Sequence, residues 1–392
     1  MRQNKTAGKK RSEKGRMIYL DYAASSPMYP AVLDVMHAVS RDFYANPSSL
    51  YHIGYSARKL LHASRSDLAD SIGAQADEIV FTSGGTEGNN LAIFGVLHAS
   101  RQKKHFIVGC TEHHSVLSAA RALERDGFSL TILPCDNEGL YSPDALRRAI
   151  RPDTALVSLH LANNETGVLQ PIGEIGAITR ERRIPLHCDA VTAYCHIPLD
   201  VRALKIDLLT VSAHKAGGPK GVGFLFSRNE IPVAPLFFGG LQERALRPGT
   251  ENLPAIAGFA KVLSCVTLPA PCGVRDRLQA QLKQLFSACR VNGFDAPRLP
   301  HILSITLPNI PAERLLPLLS AAGIYASARS ACAAGERSPS HVLTAMGLSP
   351  EDAGATLRFS SGFDNKLSDA DTTSNAIDFA IHNGNCTPCL VT

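Results

Sequence analysis

Seven short apolar, β-branched runs recur between residues 78 and 227: EIVFT, HFIVGC, SLTILPC, TALVSLHL, PLHCDAV, IDLLTVS and GVGFLFS. Polar or amphipathic segments separate them. A strand that is apolar along its whole length has no solvent-facing side, so the runs predict an α/β fold with a mostly parallel, seven-stranded sheet covered by helices on both faces. In such sheets ligands sit at the C-terminal ends of the strands. Every residue of chemical interest in this half of the chain lies at such an end.

Upstream, SARKLLHASRSDLADSIG reads as an amphipathic helix, with Leu60, Leu61, Ser64, Leu68 and Ile72 near one face, Ser56 as N-cap and Gly73 as stop. Past RPGTENLPAIAGFAKVLSCV the composition shifts at TLPAPCGVRDR. That shift predicts a large domain over 17–265 and a smaller α+β C-terminal domain over 266–385, in which HILSITLP and ATLRFSS read as strands. The first residues of the large domain are candidates to pack with the small one, and residues 386–392 form a tail.

Composition narrows the class. The chain has 392 residues, 45% hydrophobic and 19% charged, ordinary for a globular protein with a large core. No apolar run approaches the ~18 residues of a membrane span and no signal-peptide pattern opens the chain, so a soluble, cytoplasmic protein is expected. The net charge of +5 comes from residues 1–16, which hold four Lys, three Arg and one Glu; the remainder is about neutral. That arm has almost no apolar residue and is expected to be a disordered, solvated tail, with no direct contact to nucleic acid or membrane. Ten cysteines without framework spacing suggest reduced thiols. Cys386 and Cys389 form a C-x-x-C pair in the tail, short of the further ligands a structural zinc needs.

The chemistry gathers at the strand ends. EIVFT leads into SGGTEGNN, where Gly85 and Thr86 open a helix. Backbone amides at a helix N-terminus, left uncrowded by two glycines, suit an anion, most often a phosphate. The stretch matches neither the nucleotide P-loop nor the dinucleotide fingerprint. IDLLTVS leads to SAHKAGGPKGVG, in which Lys215 is hemmed by small residues; a lysine there can form a Schiff base with a carbonyl compound. Asp189 ends PLHCDAV's apolar stretch, so its partly desolvated carboxylate wants a cation. A protonated pyridine nitrogen is one such cation; an N-cap or a core salt bridge is the plainer alternative. His113 follows HFIVGC at a helix start, placed to stack on a flat ring or shuttle a proton. Beyond TALVSLHL, Asn163, Asn164, Glu165 and Gly167 make a polar turn whose amides can bond a ring oxygen.

In that order the residues resemble a known family. LDYAA, NPSS, FTSGGTEGNN, TEHHSV, NNETG, CDAV, SAHKAGGPKGVG, GGLQERALRPGTEN and SACAAG align with the cysteine desulfurases, in the class V aminotransferase group of fold-type I pyridoxal-phosphate enzymes. The likeness runs from MIYLDYAASSPMYP to ATLRFSSGFDNK. It implies pyridoxal 5'-phosphate as cofactor, L-cysteine as substrate and L-alanine as product. Lys215 resembles the lysine bonded to the cofactor, Asp189 the partner of the ring nitrogen, His113 the stacked histidine and Asn164 a cofactor and substrate contact. Gly85, Thr86, Ser212 and His214 resemble the phosphate binders. Thr250 of RPGT resembles the threonine that reaches the phosphate from a neighbouring subunit, which implies a homodimer. Arg358 in TLRFSSG resembles the arginine that clamps the substrate carboxylate, with Asn46 of NPSS nearby. Either Lys215 or His113 would move the α-proton.

Cys332, in SARSACAAGERSPSH, resembles the cysteine that attacks the substrate sulfur and leaves as a persulfide. Arg329 and Arg337 would lower its pKa. Gly335 and several Ala and Ser residues suggest a mobile loop that carries sulfur to an acceptor protein. The spacing to SPSHVL resembles the long-loop members that feed iron–sulfur scaffolds and tRNA thiolation.

Two positions depart from the family's pattern. Thr192 stands where a glutamine usually bonds the cofactor's phenolate oxygen, which predicts a changed absorption maximum or rate rather than lost binding. Arg329 replaces the usual glycine before the nucleophile, and it does not easily adopt glycine's positive φ values. Two other readings stay open: a selenocysteine lyase or another class V enzyme within the same fold, and, motivated by these departures, a catalytically silent paralogue that acts as a binding partner.

Overall fold

In the computed structural model, which describes residues 16–100, 102–328 and 339–382, all seven apolar runs are strands of one sheet. After a two-residue β1 (Ile18–Tyr19) they are β2 (Ile79–Thr82), β3 (His105–Gly109), β4 (Ser129–Leu133) and β5 (Thr154–His160). Then come β6 (Leu186–Asp189), β7 (Leu208–Ser212) and β8 (Gly223–Ser227). Their spatial order is β2–β8–β7–β6–β5–β3–β4. Only β8 runs against its neighbours, β7 and β2; the remaining pairs are parallel.

The helices of this part are α1 (Pro30–Asp42), α2 (His52–Asp70), α3 (Gly85–Ala99), α4 (His114–Arg125), α5 (Pro143–Ala149), α6 (Ile172–Glu181) and α7 (Leu253–Val262). Strand period two sends alternate side chains to opposite faces. Phe106 and Val108 of β3 join Leu91 and Val96 of α3 and Val116 and Leu123 of α4 in one core. Ile107, between them, joins Leu61 and Leu68 of α2, Ile175 of α6 and Phe259 of α7 in the other. Burial on both faces is why the strands are apolar throughout. Helix α2 begins at His52 rather than near Ser56, whose Oγ instead donates to the carbonyl of His52 inside the helix.

A second core follows. It is built from α8 (Gly273–Leu285), β9 (Arg290–Val291), β10 (Ile302–Thr306), α9 (Ala312–Ala321) and β11 (Ile324–Tyr325). Two short helices, α10 (His341–Ala345) and α11 (Pro350–Gly354), precede β12 (Thr356–Ser360) and α12 (Leu367–His382). HILSITLP and ATLRFSS supply β10 and β12, which pair antiparallel with Ser304 opposite Arg358. The chain's start belongs to this core: β1 pairs parallel with β11, and Ile18 and Leu20 pack with Leu282, Ile305 and Phe359. Arg16, the last residue of the basic arm, pairs with Asp369 at 3.1 Å. The rest of the arm, Arg329, Cys332, Gly335, Arg337, Cys386 and Cys389 lie outside the described residues. Among the described residues no helix is long and apolar enough to cross a membrane.

Candidate active site

The turn between β2 and α3 shows why two glycines stand there. Gly84 has φ +149, a conformation that side-chain-bearing residues rarely adopt. A Cβ on Gly85 would stand 2.8 Å from Val191 Cγ2, so only glycine lets the first turn of α3 close onto the segment after β6. Glu87 accepts from the amide of Ser83 at 2.9 Å, and Arg247 pairs with it at 3.0 Å. The first turn of α3 is thereby held open as a cradle of backbone amides. Gly85 and Thr86 line a cavity at the strand ends, and Ser212 is buried directly behind the turn.

The same cavity is lined by Asp189, 7% exposed, whose two carboxylate oxygens are already oriented. The amide of Val191 donates to Oδ1 at 2.9 Å and the side chain of Asn89 to Oδ2 at 2.7 Å. His113 caps α4: its Nδ1 accepts from the amide of Ser115. Burial, and then the Lys215 charge, push its pKa down to about 4. His214 is held near 4 by burial and the same lysine. Lys215 ends a short turn after β7, its carbonyl accepting from Ser26 Oγ at 2.7 Å and His196 Nε2 at 3.2 Å. Thr192, Asn164 and Arg358 complete the wall. One cavity is therefore lined by the glycine-opened helix start, the buried carboxylate and Lys215. Arg358 Nε and Asn89 Oδ1, both on the wall, are buried without a partner among the described residues. Such atoms invite a ligand.

Arg358 already has partners within the chain. It is 2% exposed, and its Nη2 bonds Asp21 Oδ1 at 2.7 Å while Nη1 donates to the carbonyl of Asn164 at 2.9 Å. Asp21 also accepts from Ser327 at 2.8 Å. The arginine's charge is balanced before any substrate arrives, and Nε remains for a carboxylate. Removing one partner of a buried pair strands the other charge at about 3–5 kcal/mol. Asp21→Ala is therefore expected to lower the urea midpoint strongly, whereas replacing an exposed carboxylate such as Asp34 should leave it within error.

Two expected contacts are not brought in by this chain alone. Thr250 and Asn46 are exposed and line no part of the cavity. Conversely, sequence reasoning overlooked Asp21, Asn89, Ser115 and His160. His160 ends β5 as Asp189 ends β6, so the strand-end rule points to it. Burial pushes its pKa down, but the charge and hydrogen bond of Glu112, 2.8 Å away, outweigh this and raise it. Asn89 lies one helical turn after Gly85, on the face that carries the cradle.

The buried histidines set an acid limit. Burial holds His113, His187, His196 and His214 at about 4 in the folded chain, against an unfolded value of ~6.5. Their contribution to stability is complete above the unfolded value and is lost as pH falls through 6.5 toward 4, because only the unfolded chain takes up the protons. Burial lowers His105 and His301 as well, so His160, raised, opposes them with one group against six. The urea midpoint is expected to fall steeply from pH 6.5 to 5 and to change little from 7 to 8.5.

The class-V aminotransferase family matches residues 18–372. Among curated proteins, the cysteine desulfurase IscS of Methanosarcina thermophila is 43% identical over 371 residues, covering 93% of this chain and 92% of its own. That of Dictyoglomus turgidum is 40% identical over 370 residues, 93% and 94% of the two chains. Among solved structures, a NifS-like protein superposes with a TM-score of 0.85 at 32% identity, covering 93% of this chain and 98% of that one. SspA in complex with cysteine gives 0.80 at 36% identity, with coverage of 88% and 98%. A lysine, a buried aspartate and an amide cradle around one cavity, in a chain matched this closely from end to end, place the protein in the cysteine desulfurase family of class-V aminotransferases.

Proposed function

We propose that the protein uses pyridoxal 5'-phosphate to convert L-cysteine to L-alanine, carrying the sulfur as a persulfide on Cys332 to an acceptor protein that serves iron–sulfur cluster assembly or thiolation. One observation carries this reading: Lys215 and Asp189 open onto the same cavity as the amides of Gly85 and Thr86. The helix start with Thr86, Ser212 and His214 would hold the phosphate, Asp189 the ring nitrogen and Lys215 the aldehyde carbon. Bound there, the cofactor supplies a sink for electrons from the substrate's α-carbon.

The chain's own residues do the rest. Arg358 orients the substrate through its carboxylate, with Asn164 beside it. Lys215 moves the proton at the α-carbon, and His113 stays neutral at neutral pH. Both are half-buried. The thiolate of Cys332 attacks the substrate sulfur; the new S–S bond forms as the carbon–sulfur bond breaks, its electron pair remaining with the carbon. A proton returned there completes alanine, so L-cysteine and the Cys332 thiol give L-alanine and the Cys332 persulfide.

The site residues, a division at residue 265 and a homodimer belong to the same proposal. An apolar surface supports the dimer. Phe238 and Leu241 are 90% and 85% exposed, and Leu50 is 92% exposed. Leu241 and Gln242 share a groove with Pro47 and Ser48. Exposed apolar groups of this size gather where partners meet, and Asn46 and Thr250 lie on the same two segments. Glu243, Arg244 and Ala245, with φ between +48 and +59, hold that surface in a strained turn buttressed by the Arg65–Glu243 ion pair at 2.5 Å.

The test is purified protein with L-cysteine and an acceptor thiol, reading alanine and transferable sulfur. Equal amounts of both are expected. Preference for selenocysteine in a competition assay would make it a selenocysteine lyase, and a colourless, inert protein would make it a silent partner.

A further inference from the structure

The wall behind His113 contains a hydrogen-bond chain with a fixed direction. Asp189 can only accept. Asn89 donates one Nδ2 hydrogen to Asp189 Oδ2 at 2.7 Å and the other to Ser115 Oγ at 2.9 Å. The reverse placement of the amide would set its oxygen against the carboxylate. Ser115 Oγ, already accepting, has one hydrogen to give, and His113 Nδ1 lies 2.8 Å away. The backbone amide of Ser115 donates to the same nitrogen at 3.1 Å. All of these atoms are buried or half-buried, so water offers no competing partner.

We propose that Asn89 and Ser115 are positioning residues that lock His113 in the tautomer with its proton on Nε2. The polarity starts at Asp189, the residue placed at the cofactor ring's nitrogen. One carboxylate thus fixes both the ring partner and the state of the neighbouring histidine. The inference deepens the desulfurase reading and rests on it for its consequence: Nε2 of His113 can give a proton but cannot take one until it has done so. The first proton acceptor at the substrate is then Lys215. The depressed pKa of His113 agrees with this, since a neutral ring has a tautomer to fix.

The test is NMR of the full-length purified protein labelled with [15N]histidine, with His113 assigned through His113→Gln. Without substrate, Nδ1 is expected at the unprotonated nitrogen position and Nε2 at the protonated one. Ser115→Ala keeps the backbone donor but removes the hydroxyl, so the Nδ1 signal should move, and the His113 pKa should rise by about 0.7 of a unit, the equivalent of one ordinary hydrogen bond. Ser115→Thr, which keeps the hydroxyl, should restore both values, an outcome that a merely structural role would not require. A proton on Nδ1 in the unmodified chain, or a Ser115→Ala protein with unchanged His113 signals and pKa, overturns the proposal. Because the readout needs no turnover, loss of this result and failure to release alanine are separate findings.

Discussion

Lys215→Ala is expected to fold as the parent does and to lose cysteine-dependent alanine formation by a factor on the order of 10⁴ or more, the scale on which a nucleophile or base is removed from a site. The fold should survive because the backbone at this position is held without the side chain. Its carbonyl accepts from Ser26 and His196, and the ring of His196 stacks on that of His301 at 3.8 Å. The turn itself closes through the Ala216 amide to the carbonyl of Ala213 at 2.9 Å. Two readouts besides activity follow. Borohydride should no longer fix the cofactor covalently to the chain. The pKa values of His113 and His214, both depressed in part by the Lys215 charge, should rise together. Retained covalent fixation would show that another amine performs the task.

The sheet was legible because burial on both faces leaves an unbroken apolar signature, and the residues that end or follow a run inherit a position at a strand end. That logic finds Lys215, Asp189, His113 and Asn164, each of which ends or follows its strand and lines the cavity. It gives no direction: nothing in GVGFLFS distinguishes the reversed β8 from its parallel neighbours. The start of α2 escaped because its cap, Tyr51, makes no side-chain hydrogen bond, leaving no polar signal before His52. Asp21 escaped for a different reason. It sits in an irregular stretch, and its partner Arg358 is 337 residues away, so only the folded chain brings the two together. Asn89 and Ser115 sit inside helices, where polar residues at such spacing ordinarily face water. Their role arises from α3 and α4 lying side by side against the strand ends.

Cys332→Ser is expected to keep the cofactor's colour and the parent's thermal stability while reducing alanine formation from cysteine by a factor on the order of 10³ or more. The position lies outside the described residues, but both approaches to it are anchored on the cavity. Ser327 exchanges backbone hydrogen bonds with Arg358 and donates to Asp21. On the far side, Ser340 donates to Glu165 at 2.6 Å and His341 to the carbonyl of Glu112 at 2.9 Å. The intervening segment thus leaves and re-enters at residues that neighbour Arg358, Asn164 and His113. An ordinary cysteine thiol has a pKa near 8.5 and is partly ionised at neutral pH. A serine hydroxyl at the same place stays protonated and is a far weaker nucleophile toward sulfur. The variant should therefore bind cysteine, shown by a spectral change on its addition, and stall before sulfur leaves. Alanine released at the parent's rate by Cys332→Ser would mean that sulfur departs by a route independent of this side chain.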